Sequence, residues 1–178
     1  MLAKNTFFGL IAFAAASLVQ FACDTGNGAN QIGKDEAEKI ALKELAGAYI
    51  VGEALEMDLD RQVYRIYLQN SEEARRVTVD IATGRVLEVK DLTDKLQETM
   101  AVEESVPEPI SLAHRDAAEY AAVQAFPGTV RKWKAQRENG GLVFKLNIVG
   151  TNGKEQRVTV DARSYEILEM APVAQNNR

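Results

Sequence analysis

The residues best suited to chemistry are scarce: one histidine, His114, and one cysteine, Cys23, stand among 178 residues. That pair cannot supply the Cys and His sets that usually hold zinc. His114 could act as a base in a Ser-His-Asp arrangement, but no nucleophile motif accompanies it, and its place in the first turn of a helix fits an ordinary surface histidine. No Gly-x-Gly-x-x-Gly follows a strand, and no phosphate loop occurs. Glu53, Glu56, Asp58 and Asp60 gather around one strand, yet their spacing does not match a calcium loop and fits the solvated face of a strand. At the corresponding place in the second half, Arg131, Lys132, Lys134 and Arg137 surround Trp133. We therefore expect no enzyme, metal or cofactor, and an interaction surface on Glu53, Glu56 and Asp58 and on Arg131, Lys132, Trp133 and Lys134. The acidic strand would face the basic strand of the other half, or both would face a shared partner. Surface pairs of this kind contribute about 0–1 kcal/mol each, enough to orient two units but not to hold them.

The elements that must position these residues come twice. Arg76-Val77-Thr78-Val79-Asp80 returns as Arg157-Val158-Thr159-Val160-Asp161, and Val63 to Leu68 falls on Val143 to Ile148. Ala37, Ile40 and Ala41 fall on Ala117, Tyr120 and Ala121. The period is that of a small domain, too long for solenoid or propeller units. In the first copy, residues 32–91, an amphipathic helix over 34–46 ends at Gly47, and four strand-like runs follow over 50–58, 63–68, 76–80 and 85–90. Tyr64, Ile66 and Leu68 alternate with Val63, Arg65 and Tyr67, which predicts an antiparallel sheet covered on one side. The second copy, residues 110–171, has a helix carrying Ala117, Tyr120, Ala121, Ala125 and Phe126, stopped by Pro127-Gly128, and strands over 130–137, 142–149 and 156–161. Asp80 and Asp161, at the strand ends, fit turn-forming side chains that accept from nearby amides. The fold class is α+β: two tandem units, each one helix on a small antiparallel sheet. Residues 92–109 form an acidic, proline-containing linker that opens with a helical turn or two, and 172–178 a loose tail.

Residues 1–22 have the form of an export signal, with Lys4 ahead of an apolar run from Phe7 to Val19 that is too short to span a bilayer. Cys23 follows Ala22, and 23–31 is a Gly/Asn-rich tether. This arrangement resembles a bacterial lipoprotein signal, although Gln20 and Phe21 depart from its usual Leu and small residue. The resemblance implies lipidation of Cys23 and a membrane-anchored or periplasmic protein of the cell envelope.

Both units resemble the PepSY family. The residues that carry the likeness are Ala37-x-x-Ile40-Ala41-Leu42, Val77-Thr78-Val79-Asp80 and Thr83-Gly84-Arg85-Val86, then Ala117-x-x-Tyr120-Ala121, Phe126-Pro127-Gly128 and Val158-Thr159-Val160-Asp161. Ser164-Tyr165 stands where Thr-Gly is usual, which leaves open a differently built hairpin. The resemblance implies a non-enzymatic exported module that binds, and regulates or inhibits, a peptidase or other envelope protein; the alternative is a scaffold lipoprotein that inhibits nothing. Partners are then a protein and, through a lipid anchor, a membrane. Nucleic acid is disfavoured for an exported chain of net charge −5. Charge is uneven: residues 32–91 hold 9 basic and 13 acidic side chains, residues 110–170 hold 9 and 7.

Overall fold

The computed structural model describes residues 31–101, 106 and 108–173. The signal segment, Cys23, nearly all of the tether and residues 174–178 lie outside them. No helix among the described residues is long and apolar enough to cross a membrane.

The chain runs α1 (Lys34–Ala41), β1 (Tyr49–Asp58), β2 (Arg61–Gln69), β3 (Ala74–Asp80), β4 (Val86–Asp91), α2 (Thr93–Ala101), α3 (Leu112–Ala125), β5 (Gly128–Glu138), β6 (Gly141–Gly150), β7 (Glu155–Asp161) and β8 (Ile167–Pro172). A 3-10 turn, Leu42–Glu44, prolongs α1 before the chain reverses at Gly47, whose φ of 67° suits a residue without Cβ. All eight strands join one antiparallel sheet, in the order β4-β3-β2-β1-β5-β6-β7-β8. Two small separate sheets were expected, and the sheet corrects this. β1 and β5 would each have been an edge, and they pair through Gly52↔Lys134, Glu53↔Trp133 and Ala54↔Lys132. The physical reason is that an edge leaves a row of backbone donors and acceptors unpaired, and joining two edges satisfies both rows.

β8 is the strand that periodicity missed. Leu168, Glu169 and Met170 are all exposed, so no alternation marks it. It is instead the copy of β4, and each pairs with the Arg-Val-Thr-Val-Asp strand of its own half.

Both halves feed one core. Ile50, Ile66, Leu68, Val77 and Val79 share it with Trp133, Phe144, Leu146, Ile148, Val158 and Val160, under Ala37 and Ala41 of α1 and Ala118 and Ala122 of α3. Alanines at these positions let the helix backbones approach the sheet, and each large aliphatic or aromatic group buried there contributes about 1.5–3 kcal/mol. The face of α3 differs from expectation: Ala118 and Ala122 are fully buried, whereas Tyr120 is 69% exposed. One residue fewer separates α3 from β5 than α1 from β1, and the β6–β7 hairpin has one more. The spacing read from the strands therefore misses the helix by one residue, a rotation of about 100°.

The aspartates at the ends of β3 and β7 do form turns. Asp80 Oδ1 accepts from Thr83 N (2.8 Å) and Thr83 Oγ1 (3.0 Å); Asp161 Oδ1 accepts from Ser164 N (2.7 Å), Arg163 N (2.9 Å) and Ser164 Oγ (3.1 Å). These bonds hold both carboxyls below their ordinary range, led by the Thr83 side chain for Asp80 and the Ser164 amide for Asp161. The second hairpin is built like the first despite its sequence. Tyr165 N donates to Asp161 O as Gly84 N does to Asp80 O, and Tyr165 takes φ 60° where Gly84 takes 68°.

Candidate functional site

The join between the halves concentrates the buried charge. Glu53 sits in the middle of β1, and alternation turns it toward the helices with its partner Trp133; both are nearly inaccessible, at 4% and 2%. Arg115, in the first turn of α3, reaches across both. Its Nη1 lies 2.5 Å from Glu38 Oε1 of α1 and 3.9 Å from Glu53 Oε2, and its guanidinium carbon stands 5.5 Å from the centre of the Trp133 ring. Beside it, Lys34 of α1 binds Glu119 of α3 at 2.9 Å.

These two bridges are the same bridge made twice. Arg115 and Glu119 follow Lys34 and Glu38 at one constant spacing of 81 residues. The basic residue of each half therefore meets the acidic residue of the other, and the strand pair Glu53↔Trp133 joins equivalent positions, 80 apart. A contact in which i meets j and j meets i is that of a two-fold dimer, here realised within one chain.

Burial raises the Glu53 carboxyl to about 8, with the neighbouring Glu38 adding to the rise and Lys34 and Arg115 opposing it. The burial and the adjacent Glu38 thus favour the protonated form of Glu53. Desolvation pulls Arg115 down, but Glu38, Glu119 and Asp116 outweigh it and raise the guanidinium above its usual value. Glu38, Glu53 and Arg115 are each at most 4% exposed, so no reactant reaches them from solvent. Their chemistry is positional.

Two expected surface residues are therefore corrected. Trp133 belongs to the core, and Glu53 lies on the covered face rather than the solvated one. The remaining ones lie elsewhere. Glu56 and Asp58 share the opposite face of the sheet and pair with Arg65 of β2. Lys132 and Lys134 lie on that same face, opposite Ala54 and Gly52, and Arg131 is exposed at a bulge between Val130 and Lys132. None of Glu53, Glu56 or Asp58 pairs with Arg131, Lys132 or Lys134. The acidic and basic strands are neighbours, but backbone hydrogen bonds join them, not surface ion pairs. Sequence reasoning missed Arg115, Glu38, Lys34 and Glu119; a repeat alignment that let the helices shift by one residue would have found the reciprocal charges.

His114 lines an open cleft of about 650 Å³ with Ser111, Arg137, Asp161 and Arg163, and its Nδ1 is 2.6 Å from the Tyr165 hydroxyl. A second cleft, of about 680 Å³, is lined by Asp60, Arg61, Gln62, Asp80, Ile81 and Ala82. Those residues are the repeat counterparts of Gly140, Gly141, Leu142, Asp161, Ala162 and Arg163, so the fold opens the same cleft beside each turn. His114 has no counterpart in the first. Asp161 is occupied by its turn, and the imidazole is held by the Tyr165 hydroxyl. No group of three or more His, Cys, Asp or Glu side chains among them could hold a metal ion.

Comparison with known proteins bears on this duplicated frame. The family model described as "Peptidase propeptide and YPEB domain" (PepSY) matches residues 31–90 and 115–171. Among solved structures, CD1622 of Clostridium difficile 630, a protein assigned as a lipoprotein, aligns with 20% identity and a TM-score of 0.51 over 80% of this chain and 94% of its own. YpmB of Bacillus subtilis aligns with 18% identity and a TM-score of 0.32, covering 79% of this chain and 98% of its own. The Bacillus megaterium YpeB C-terminal domain aligns with 14% identity and a TM-score of 0.31, covering 80% and 64%. No curated protein matches. With two matched regions that together span more than half of its length, the chain belongs to the PepSY family.

Proposed function

We propose that this protein is a non-enzymatic binding module of the cell envelope, built of two PepSY-like units, each one helix on four strands, that binds and regulates an exported peptidase or another envelope protein. The observation that carries the reading is the pair of outer edges. β4 and β8 pair on one side only among the described residues, and each presents two exposed apolar side chains at repeat-equivalent positions: Leu87 and Val89 on β4, Leu168 and Met170 on β8. An open edge with apolar side chains beside it suits the addition of an extended segment, whose main chain completes the ladder while alternate side chains find apolar contact. The family description supports a peptidase as partner, and the lipoprotein assignment of CD1622 supports an anchored exported form, with lipid on Cys23.

The test is cross-linking in envelope extracts with the wild type, with Leu87→Lys plus Val89→Lys, and with Leu168→Lys plus Met170→Lys. The reading expects one partner recovered by the wild type, reduced by each double variant, and altered in peptidase activity when the purified module is added. A partner held equally by all three forms would refute edge addition. Mass analysis of the mature N-terminus checks the anchor: an acylated Cys23 supports it, a free thiol or a start elsewhere removes it.

A further inference from the structure

The sheet face that turns away from the helices differs between the halves in a way that strand pairing makes visible. Lys145 and Arg157 of the second half stand where Arg65 and Arg76 stand in the first. In the first half these cations are satisfied locally, Arg65 by Glu56 and Asp58, Arg76 by Glu88 at 2.6 Å. In the second half Lys145 pairs with Glu138, and among the described residues no ion pair reaches Arg157. Lys132 and Lys134 add two further cations that form no ion pair among the described residues, where the first half has Gly52 and Ala54; the one carboxylate acting on Lys134 is Glu138, which is already bridged to Lys145. The register places them together: Lys134↔Lys145, Lys132↔Asn147 and Asn147↔Arg157 are direct cross-strand pairs. Like charges so placed repel, and the Lys134 ammonium is pulled below its usual value, first by desolvation and then by Lys145, Arg157 and Lys132, with Glu138 opposing them. Of the described helices only α3 packs extensively on β5 to β8, and it covers the other face.

We infer that the exposed face of β5, β6 and β7 is a docking surface for an extended acidic segment of a partner protein, with its carboxylates set on Lys132, Lys134 and Arg157. The inference rests on the binding-module reading above and specifies the partner's chemistry. The dimensions fit: alternate residues of an extended chain lie about 6.8 Å apart, the separation of Lys132 from Lys134 along β5, and three strands make a strip about 10 Å across. The border argues against a flat anionic surface. Glu169 of β8 shares this face beyond Thr159, and Glu56 and Asp58 flank it on β1, so an anionic membrane laid on it would meet carboxylates on both sides. A single chain avoids both rims.

The test is fluorescence anisotropy of a labelled peptide of alternating Glu and Ser with the complete mature chain, at low salt and at about 0.3 M salt. Three forms are compared: wild type, Lys132→Glu plus Lys134→Glu, and a control carrying the same charge change at exposed positions of α1 and of the 3-10 turn that follows it, Lys39→Glu plus Lys43→Glu, with thermal melts to establish that all are folded. Binding by the wild type and the control, weakened at least tenfold in the β5 variant and by salt, is the expected result. Equal loss in the control, or no loss in the β5 variant, overturns the inference. So does binding of phosphatidylglycerol vesicles or polyphosphate through the same lysines when the peptide does not bind. Failure here with intact edge-dependent capture would leave the binding-module reading standing; loss of edge-dependent capture with intact peptide binding would do the reverse.

Discussion

Replacing Glu53 by glutamine should change how stability depends on pH more than it changes stability itself. The folded Glu53 carboxyl titrates near 8, and an unfolded one near the ordinary 4.5. Between those values the folded chain holds a proton that the unfolded chain has lost. Stability from this group is therefore complete below the unfolded value, declines as pH rises through the window, and is gone above about 8. One proton corresponds to about 1.4 kcal/mol per pH unit, so pH 5.5 to 7.5 spans about 3 kcal/mol at most. The groups that act on or face Glu53 are Lys34 and Glu38 of α1, Arg115 of α3, Tyr64 of β2 and Trp133 of β5, and all remain in the variant. A glutamine amide has the size of the protonated carboxyl and can also donate to Glu38, so the variant should match the wild type near pH 5.5. At pH 7.5 it should be more stable by up to about 3 kcal/mol relative to that baseline. Urea unfolding across the pH series measures this, and comparison between the two proteins cancels His114 and the surface carboxylates. Parallel pH profiles would refute the burial argument, as would a variant that is weaker than the wild type at every pH.

Other consequences follow from the same geometry. Arg115→Ala leaves Glu38 without its buried partner and should cost about 3–5 kcal/mol in denaturant unfolding; a loss under 1 kcal/mol would place Arg115 at the surface. Ala122→Leu should force α3 off the sheet at a cost of about 1–3 kcal/mol, whereas Tyr120→Ala should stay within about 0.5 kcal/mol, and the reverse order would restore the helix face read from the strand spacing. Leu59 holds φ 55° at the β1–β2 turn and is 93% exposed, where the other half has Asn139 at φ 50°. Leu59→Asn should therefore gain about 1 kcal/mol, seen as a higher unfolding midpoint.

Much of the frame was legible because it rests on local patterns. The alternation of Tyr64, Ile66 and Leu68, the glycine and aspartate turns and the repeated Arg-Val-Thr-Val-Asp each encode one strand or hairpin through neighbouring residues. What escaped depends on contacts between elements distant in sequence. Nothing near Glu53 indicates that its strand pairs with β5, because an edge strand and a central strand carry similar side chains on their covered face. Arg115 looks like any first-turn arginine until α1 is placed beside it. Composition marks Lys132 and Lys134, but strict alternation sends Trp133 between them to the other side of the sheet, away from the surface that composition suggests for it. Tyr165 illustrates a different limit: its left-handed conformation is held by the Asp161 turn, joined by the His114 contact, against the preference for glycine there.

Two PepSY units meet edge to edge in one sheet, which buries β1 and β5 and leaves β4 and β8 open. Amide hydrogen exchange of the complete chain tests it residue by residue. The amides of Gly52 to Ala54 and Lys132 to Lys134 engaged in the β1–β5 ladder should be protected like those of β2 and β6, while the outward amides of β4 and β8 exchange quickly. Exchange at Ala54 and Lys132 as fast as at the outer edges would contradict it.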